Sequence, residues 1–370
     1  MMTNGKAVVI GAGLSGAVCS YVLAAKGKKV LTVELRRHVG GNVFDYVSDG
    51  IIIQKYGPHI FHTDNFEAFR FLSQFTRWRE YDHRVSAYID DKYVPLPFNL
   101  TSLAMLKDDS SEIERKLISV YGWGKSVGVG SLMRNKDPII SDFGKFVYEK
   151  TFKHYTQKQW GTTDVPESVL DRVPVKICSQ SGYFNDRYIY CAEGGFSPMI
   201  ERMLSHKNIQ VMTETDGLKY VDIENDKIYY DGEDCDVFYG GRIDSLFKYK
   251  YGCLRYRTLD FKFERYEIPS FQPTAVVNYT QTEDYTRISE FTKFTSNVTS
   301  HTVIAKEYPR ECTENDIPYY PICDQPSVIG KYFKEAMSIA NLSLIGRLGL
   351  HKYINMDEAV AIALKEANKL

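Results

Sequence analysis

The sequence holds no run of about eighteen apolar residues, the length a membrane helix needs, so no membrane span is expected. It holds no C-x-x-C pair. Its seven cysteines, Cys19, Cys178, Cys191, Cys235, Cys253, Cys312 and Cys323, are scattered and odd in number. That pattern argues against a disulfide framework and a zinc site, and fits a reduced cytoplasmic protein with buried thiols. It holds no block of like charge, and its formal net charge of −1 creates no global field toward nucleic acid or an anionic membrane. No internal repeat, low-complexity linker, Ser-His-Asp arrangement or paired-carboxylate device stands out. No signal peptide is expected either, because the apolar run near Met1 is short and merges into a glycine motif. What the chain has is length and rings. At 370 residues it can form two or three domains. Its 27 tyrosines and 20 phenylalanines imply large cores or a site that stacks flat rings.

The stretch from Lys6 to Asn42 organises the rest. An apolar AVVI is followed by Gly11-Ala-Gly13-Leu-Ser-Gly16, an apolar-periodic run to Lys26, a second apolar run from Val30 to Val33, then Glu34 and Gly40-Gly41. This reads as strand, tight turn, helix, strand, acid. The first two glycines let backbone approach a pyrophosphate, and the third lets helix pack on strand. The helix N-terminus offers free N–H groups to phosphate. Glu34 sits where an acid meets an adenosine ribose hydroxyl. A dinucleotide-binding Rossmann-type unit is therefore expected. The glycine pair after Glu34 resembles the flavoprotein form of the motif and favours FAD over NAD. Arg36 and Arg37 could suit a 2′-phosphate, but Glu34 argues against one.

Farther along, Lys55 to Thr63 carries a forced turn at Gly57-Pro58 and two close histidines, His59 and His62. No carboxylate or cysteine cluster accompanies them, so no metal is expected. Asn65 to Phe75 has helical periodicity. Val85 to Pro97 alternates around Asp90-Asp91 and reads as a β-hairpin. Ser102 to His154 is mostly helical, and Pro166 to Arg172 a short helix. Ser197 to Leu204 reads as an amphipathic helix. Ile209–Thr213, Ile228–Tyr230 and Val237–Tyr239 read as strands returning to the first domain. From Leu254 the chain is β-rich. Lys331 to Ile339 is helical, Leu342 to Ile345 a strand, and Met356 to Leu370 an amphipathic helix with Asp357 and Glu358 in its first turn.

With these stretches in place, the chain resembles the UDP-galactopyranose mutase family over nearly its whole length. The marks are GAGLSG, VGGN at Val39–Asn42, KYGPHIFHT, PLPFN at Pro95–Asn99, YTQKQWG from Tyr155, and RVPVK at Arg172–Lys176. They continue with YFNDRY from Tyr183, RYRTL at Arg255–Leu259, YTRISE at Tyr285–Glu290, EYP at Glu307, PYYP at Pro318–Pro321 and GRL at Gly346. The resemblance implies an α/β fold: a Rossmann-type FAD-binding domain, a helical insertion domain and an antiparallel, six-stranded β-sheet domain. The boundaries expected are 1–80 with 190–245 and 330–370 for the first, 100–160 for the second, and 81–99 with 161–189 and 246–329 for the third. It implies an isomerase that uses reduced FAD to interconvert pyranose and furanose nucleotide sugars without net oxidation. It also implies a homodimer.

The resemblance further assigns roles. Arg172 and Arg287 match the two arginines at the diphosphate, where a planar guanidinium can follow charge onto the leaving phosphate. His59 and His62 match the segment beside the flavin. Gly11, Gly13, Gly16, Glu34, Gly40, Gly41, Asn42, Val211, Arg347 and Met356 match cofactor positions. Phe152, Tyr155, Trp160, Tyr183, Phe184, Asn278, Tyr320 and Tyr353 match substrate positions. The nucleophile in such enzymes belongs to the cofactor, which agrees with the missing catalytic devices. The chain departs from the family at Ile189–Ala192 and at Leu350, His351, Ile354 and Asn355, where polar groups give way to less polar ones. Those departures point toward a sugar with fewer hydroxyls, such as dTDP-fucopyranose, or toward UDP-N-acetylgalactosamine, beside the default UDP-galactopyranose. Two other readings of the N-terminal motif are a flavin oxidoreductase of amine-oxidase type and a non-catalytic FAD-fold binding protein.

Overall fold

The strand Lys6–Ile10 divides its side chains between two cores. Ala7 and Val9 enter one, and Val8 and Ile10 the other. Alternation in a strand buried on both faces is what a central parallel sheet requires. The structure, a computed structural model, describes residues 5–161, 167–171, 173–179, 182–295 and 298–370. The sheet runs Ile209–Met212, Lys29–Val33, Lys6–Ile10, Asp236–Tyr239, Leu342–Leu344, all parallel. The helix Leu14–Ala25 covers one face, together with Ser197–Leu204 and the last helix, Met356–Ala367. The opposite face is covered by the helix Pro326–Ser338. This is a Rossmann-type unit assembled from three separated parts of the chain.

The second large sheet runs Tyr320–Pro321, Tyr256–Tyr266, Thr302–Glu311, Arg287–Glu290, Val276–Tyr279, Val85–Ile89, Lys92–Leu96. It has seven strands rather than six, the extra one a two-residue edge at Tyr320. It is also not wholly antiparallel, because Val276–Tyr279 pairs in parallel with Val85–Ile89. The hairpin at its edge turns on Asp90 and Asp91, both at positive φ, a conformation short polar residues accept.

Between the hairpin and residue 160 lies a helical cluster built on Leu103, Ile113, Leu117, Leu132, Ile140, Phe143 and Val147. Asn99 caps its first helix, and Asp137 ahead of Pro138 caps a later one. A π-helix, Tyr148–Lys153, then leads into the α-helix His154–Trp160. Among the described residues, no helix is long and apolar enough to cross a membrane.

Four elements differ from the sequence reading. Ile228–Tyr230 does not join the parallel sheet; Lys227–Tyr230 pairs antiparallel with Val221–Glu224 in a separate small sheet. Trp78–Glu80 and Phe61–Thr63 are strands flanking Tyr188–Ala192. Ser126–Gly128 is a strand inside the helical region, paired with Pro174–Lys176. Strands of three residues show no readable period, so partners distant in sequence define them.

Candidate active site

The glycine turn shows which glycines the protein itself requires. A Cβ on Gly16 would lie 1.8 Å from the Gly11 carbonyl oxygen, so close packing of helix on strand excludes any side chain there. A Cβ on Gly13 would meet the Gly41 backbone, Cα at 3.6 Å and N at 4.0 Å, ordinary contacts. The space beside Gly13 is therefore open on the protein side, as a pyrophosphate cradle must be. Gly40 and Gly41 both have positive φ, and Gly40 bridges to Gly13, its N–H donating to the Ala12 carbonyl at 2.8 Å. The two glycine motifs thus form one wall. Buried Glu34 holds that wall in place. Its carboxylate accepts the N–H of Ala12 at 2.7 Å and of Arg36 at 2.9 Å. Arg36 reaches back to the Asn42 side chain and lies 4.4 Å over the Tyr56 ring.

At the far end of the turn, Gly346 packs near Ser15 and carries Arg347 into a cavity of about 290 Å³ between the Rossmann unit and the seven-stranded sheet. Arg347 donates to the Ile354 carbonyl at 2.8 Å and lies 4.5 Å from the Tyr353 ring. Met356 and Asn355, at the start of the last helix, share the cavity wall with His59 and His62. His59 is anchored through its backbone by Gln54, and its Nδ1 faces the Gly57 carbonyl at 2.9 Å. Burial, reinforced by the Arg347 and Arg287 charges, pushes its imidazole down to about 4.

The sheet supplies the opposite wall by register. Asn278, Arg287 and Glu307 are direct cross-strand partners on three adjacent strands, so their side chains form one row on one face. Arg287 donates to the Tyr155 hydroxyl at 2.7 Å, and its Nε lies 3.2 Å from Glu307 Oε2. Burial opposes the Arg287 charge, but Glu307 outweighs it and holds the guanidinium well above its ordinary value. Burial also pushes the Glu307 carboxyl up, with Arg287 pulling it back. The Tyr155 hydroxyl is pushed up to about 12 by burial. His62 pairs with Asp186 at 3.0 Å and stacks on Phe184 at 3.7 Å, and Tyr183 meets Phe184 edge-on.

The helix that carries Tyr155 is fixed at its C-terminus. Arg257 donates to the Lys158 and Gln159 carbonyls, and Lys158 Nζ donates to three carbonyls of the loop ahead of Arg287. These contacts join the YTQKQWG, RYRTL and YTRISE motifs into one scaffold.

The structure therefore brings His59, His62, Tyr155, Tyr183, Phe184, Asn278, Arg287, Tyr320, Arg347, Tyr353 and Met356 to one cavity. Trp160 stands behind it, edge-on to Tyr320 at 5.2 Å. The Tyr320 hydroxyl is already paired with Gln159. Phe152 sits half-buried in the π-helix and does not line the cavity. Val211 lies in the parallel sheet opposite Thr32. Arg172 lies outside the described residues. Of the departures named above, Asn355 lines the cavity, whereas Ile354 is buried, and His351 is buried edge-on to Tyr256. Cys191 and Ala192 line a separate cavity of about 250 Å³. Of these eight replacements, Asn355 alone lines the main cavity. The sequence reading gave no role to Glu307, His83, Gln159 or Tyr319, all of which line the main cavity. The signal for Glu307 was its place in EYP, for Gln159 its place in YTQKQWG and for Tyr319 its place in PYYP; His83 carried none.

Residues 150–353 match the family described as UDP-galactopyranose mutase, and residues 9–75 match the NAD(P)-binding Rossmann-like domain. The chain belongs to the UDP-galactopyranose mutase family. It is 36% identical over 380 residues to a probable UDP-galactopyranose mutase of Klebsiella pneumoniae, covering 100% of this chain and 95% of that one. It is 32% identical to the dTDP-fucopyranose mutase of Escherichia coli, covering 98% and 96%. Its fold is similar to a crystal structure of reduced UDP-galactopyranose mutase, with a TM-score of 0.75 at 16% identity over 100% of this chain and 94% of that one. It is also similar to an oxidoreductase from Methanosarcina mazei, with a TM-score of 0.58 at 14% identity over 99% and 100%. Family membership makes the protein an isomerase of the mutase type with a Rossmann-type fold.

Proposed function

We propose that this protein binds FAD and, with the flavin reduced, converts UDP-galactopyranose to its furanose form for cell-surface glycan synthesis. The observation that carries the reading is the single cavity in which Arg287, Tyr155 and Phe184 face Arg347, His59 and Met356 across the end of the dinucleotide cradle. The cradle fits a dinucleotide because the Gly13 side is open while Gly16 is closed by protein. Gly11, Gly13, Gly40, Gly41 and Asn42 would hold the pyrophosphate, Glu34 the ribose, and Arg347 and Met356 the isoalloxazine side. Bound and reduced, the flavin supplies the nucleophile and retains its electrons through turnover.

The rest is this chain's work. Arg287 holds the diphosphate and stabilises the charge that grows on it as the anomeric bond breaks, with Arg172 proposed as its partner. Tyr155 orients the Arg287 fork and can donate to the same oxygens. Tyr183 and Phe184 give the substrate flat apolar faces. Neutral His59 places a polar but uncharged ring beside the flavin and adds no charge to those of Arg347 and Arg287. The three-part domain division, the homodimer and the cytoplasmic location expected from the sequence belong to the same proposal.

A second reading, dTDP-fucopyranose as substrate, has support from the E. coli relative and from Asn355 in the cavity wall. The test is competition of equal concentrations of UDP-galactopyranose and dTDP-fucopyranose for the dithionite-reduced protein, with products read by NMR. A preference in kcat/KM for UDP-galactopyranose supports the lead reading. A preference for the deoxy sugar replaces it with the second, and furanose from neither refutes the mutase assignment.

A further inference from the structure

The chain from Arg347 to Ile354 folds back on itself at the rim of the main cavity. The Lys352 N–H donates to the Arg347 carbonyl at 3.1 Å, and the Arg347 guanidinium to the Ile354 carbonyl at 2.8 Å. Tyr353 is the side chain this loop presents to the cavity. It is 53% exposed, with its ring 4.5 Å from the Arg347 guanidinium and 6.0 Å from the Tyr320 ring. A side chain this open takes its place from the backbone that carries it.

His351, two residues earlier, fixes that backbone. It is 3% exposed and sits at φ 41°, a left-handed conformation that persists in such a residue only where its surroundings hold it. Its Nε2 faces the Ile322 carbonyl at 3.2 Å, its ring stands edge-on to Tyr256 at 5.0 Å, and its own carbonyl accepts from Cys323 Sγ at 3.3 Å. Ile322 is held in turn, its N–H donating to the Arg255 carbonyl at 2.9 Å, directly after the edge strand Tyr320–Pro321. His351 thus ties the loop that bears Tyr353 to the strand that bears Tyr320. Burial pushes the imidazole below its ordinary value, so the ring is neutral and carries one proton. A carbonyl only accepts, so that proton is on Nε2. Nδ1 is left buried with no hydrogen-bond partner among the described residues. An apolar side chain in the same space would strand no such atom, so packing alone does not account for a histidine here; the directed Nε2 bond does.

We infer that His351 is a positioning residue: its Nε2–H bond to the Ile322 carbonyl sets where Tyr353 stands over Arg347, and so how firmly the cavity holds the nucleotide sugar. His351 does not line the cavity and acts on the substrate only through Tyr353. The inference rests on the mutase reading above, which makes Tyr353 a substrate contact.

The experiment measures kcat and KM of the reduced holoenzyme for His351→Leu, His351→Gln and His351→Asn, each with Tyr353 intact and with Tyr353→Ala. The substrate is UDP-galactopyranose, or dTDP-fucopyranose where the wild type prefers it. His351→Leu removes the donor and should raise KM about three- to tenfold. Its kcat should stay within about twofold, because a residue at the rim holds the ground and transition states alike. The Gln amide nitrogen reaches the place of Nε2, so His351→Gln should recover most of the loss. Asn suits the left-handed backbone, but its amide ends near the place of Nδ1. His351→Asn should therefore melt at least as high as His351→Gln and still show the raised KM. With Tyr353→Ala in place, none of the three should raise KM further, because residues that act as one unit do not add. Flavin content should match the wild type throughout. A wild-type KM in His351→Leu would overturn the assignment. So would KM values that follow melting temperature across the three variants, or losses that add to that of Tyr353→Ala. A wild type that makes furanose from neither sugar would overturn the mutase reading, and this assignment with it.

Discussion

Replacing Arg287 by alanine should damage stability and catalysis for two separable reasons. The guanidinium faces Glu307 across adjacent strands, and the Glu307 side chain is only 3% exposed. Without Arg287 a carboxylate remains buried and uncompensated, and breaking such a pair costs about 3–5 kcal/mol. The variant should therefore melt several degrees lower at pH 7. The Glu307 carboxyl is already pushed up by burial, and losing Arg287 removes the influence that pulls it back. A carboxyl whose folded value is raised favours the fold when protonated, so the stability deficit should shrink as pH falls and grow as pH rises. The double variant Arg287→Ala/Glu307→Gln removes the stranded charge and should recover most of the melting temperature. It should not recover turnover. Loss of one strong donor to the leaving phosphate costs about 3–4 kcal/mol, so kcat should stay down by about a hundred- to a thousand-fold in both variants. Thermal melts across pH, with single-turnover rates on reduced protein, read the two effects independently. A single variant as stable as wild type would refute the electrostatic account, and recovery of turnover in the double variant would refute the catalytic one.

Other outcomes follow from the same geometry. Gly13→Val should fold and lose flavin, read by absorbance, because the open side of Gly13 is where phosphate approaches; Gly16→Ala should fail to accumulate folded protein, its Cβ being 1.8 Å from a carbonyl oxygen. Tyr155→Phe removes the hydroxyl that accepts from Arg287, and should lower kcat about tenfold with unchanged flavin content. His59 and His83 are both pushed down to about 4 from the ordinary 6.5. Between those values the unfolded chain binds protons that the folded chain refuses, so stability should decline as pH falls from 6.5 toward 4. The doubly substituted His59→Gln/His83→Asn protein should show a shallower decline in pH-dependent melts.

The parts of the site that could be read from sequence are those whose residues are neighbours in the chain. The glycine turn, the strand ending in Glu34 and the Gly40-Gly41 pair lie within one short stretch, and their spacing encodes their geometry. What that stretch did not disclose is that Glu34 holds the turn through Ala12, because backbone donors leave no mark in a sequence. Arg287 was legible within YTRISE, but its partner was not. Glu307 becomes its neighbour only through the register of two antiparallel strands, and that register is a property of the whole sheet. His83 lies between Asp82 and Arg84, where it reads as one more exposed polar residue. Tyr183 and Phe184, about a hundred positions away, and Phe294, farther still, pack on it together with nearby Tyr81. The replacements at 350–354 misled for the converse reason. Motif proximity suggested that they face the substrate, whereas His351 turns toward Tyr256 and the Ile322 carbonyl.

The central claim is that the flavin is reduced throughout turnover while the sugar keeps its oxidation level. Its most direct test is to reduce the purified protein with a counted amount of dithionite under anaerobic conditions, add excess UDP-galactopyranose, and follow furanose by NMR and flavin by absorbance in one sample. The account predicts many furanose molecules per flavin, with the flavin still reduced at equilibrium and no product from the oxidised protein. One product per flavin with stoichiometric reoxidation, or equal turnover by oxidised protein, would contradict it.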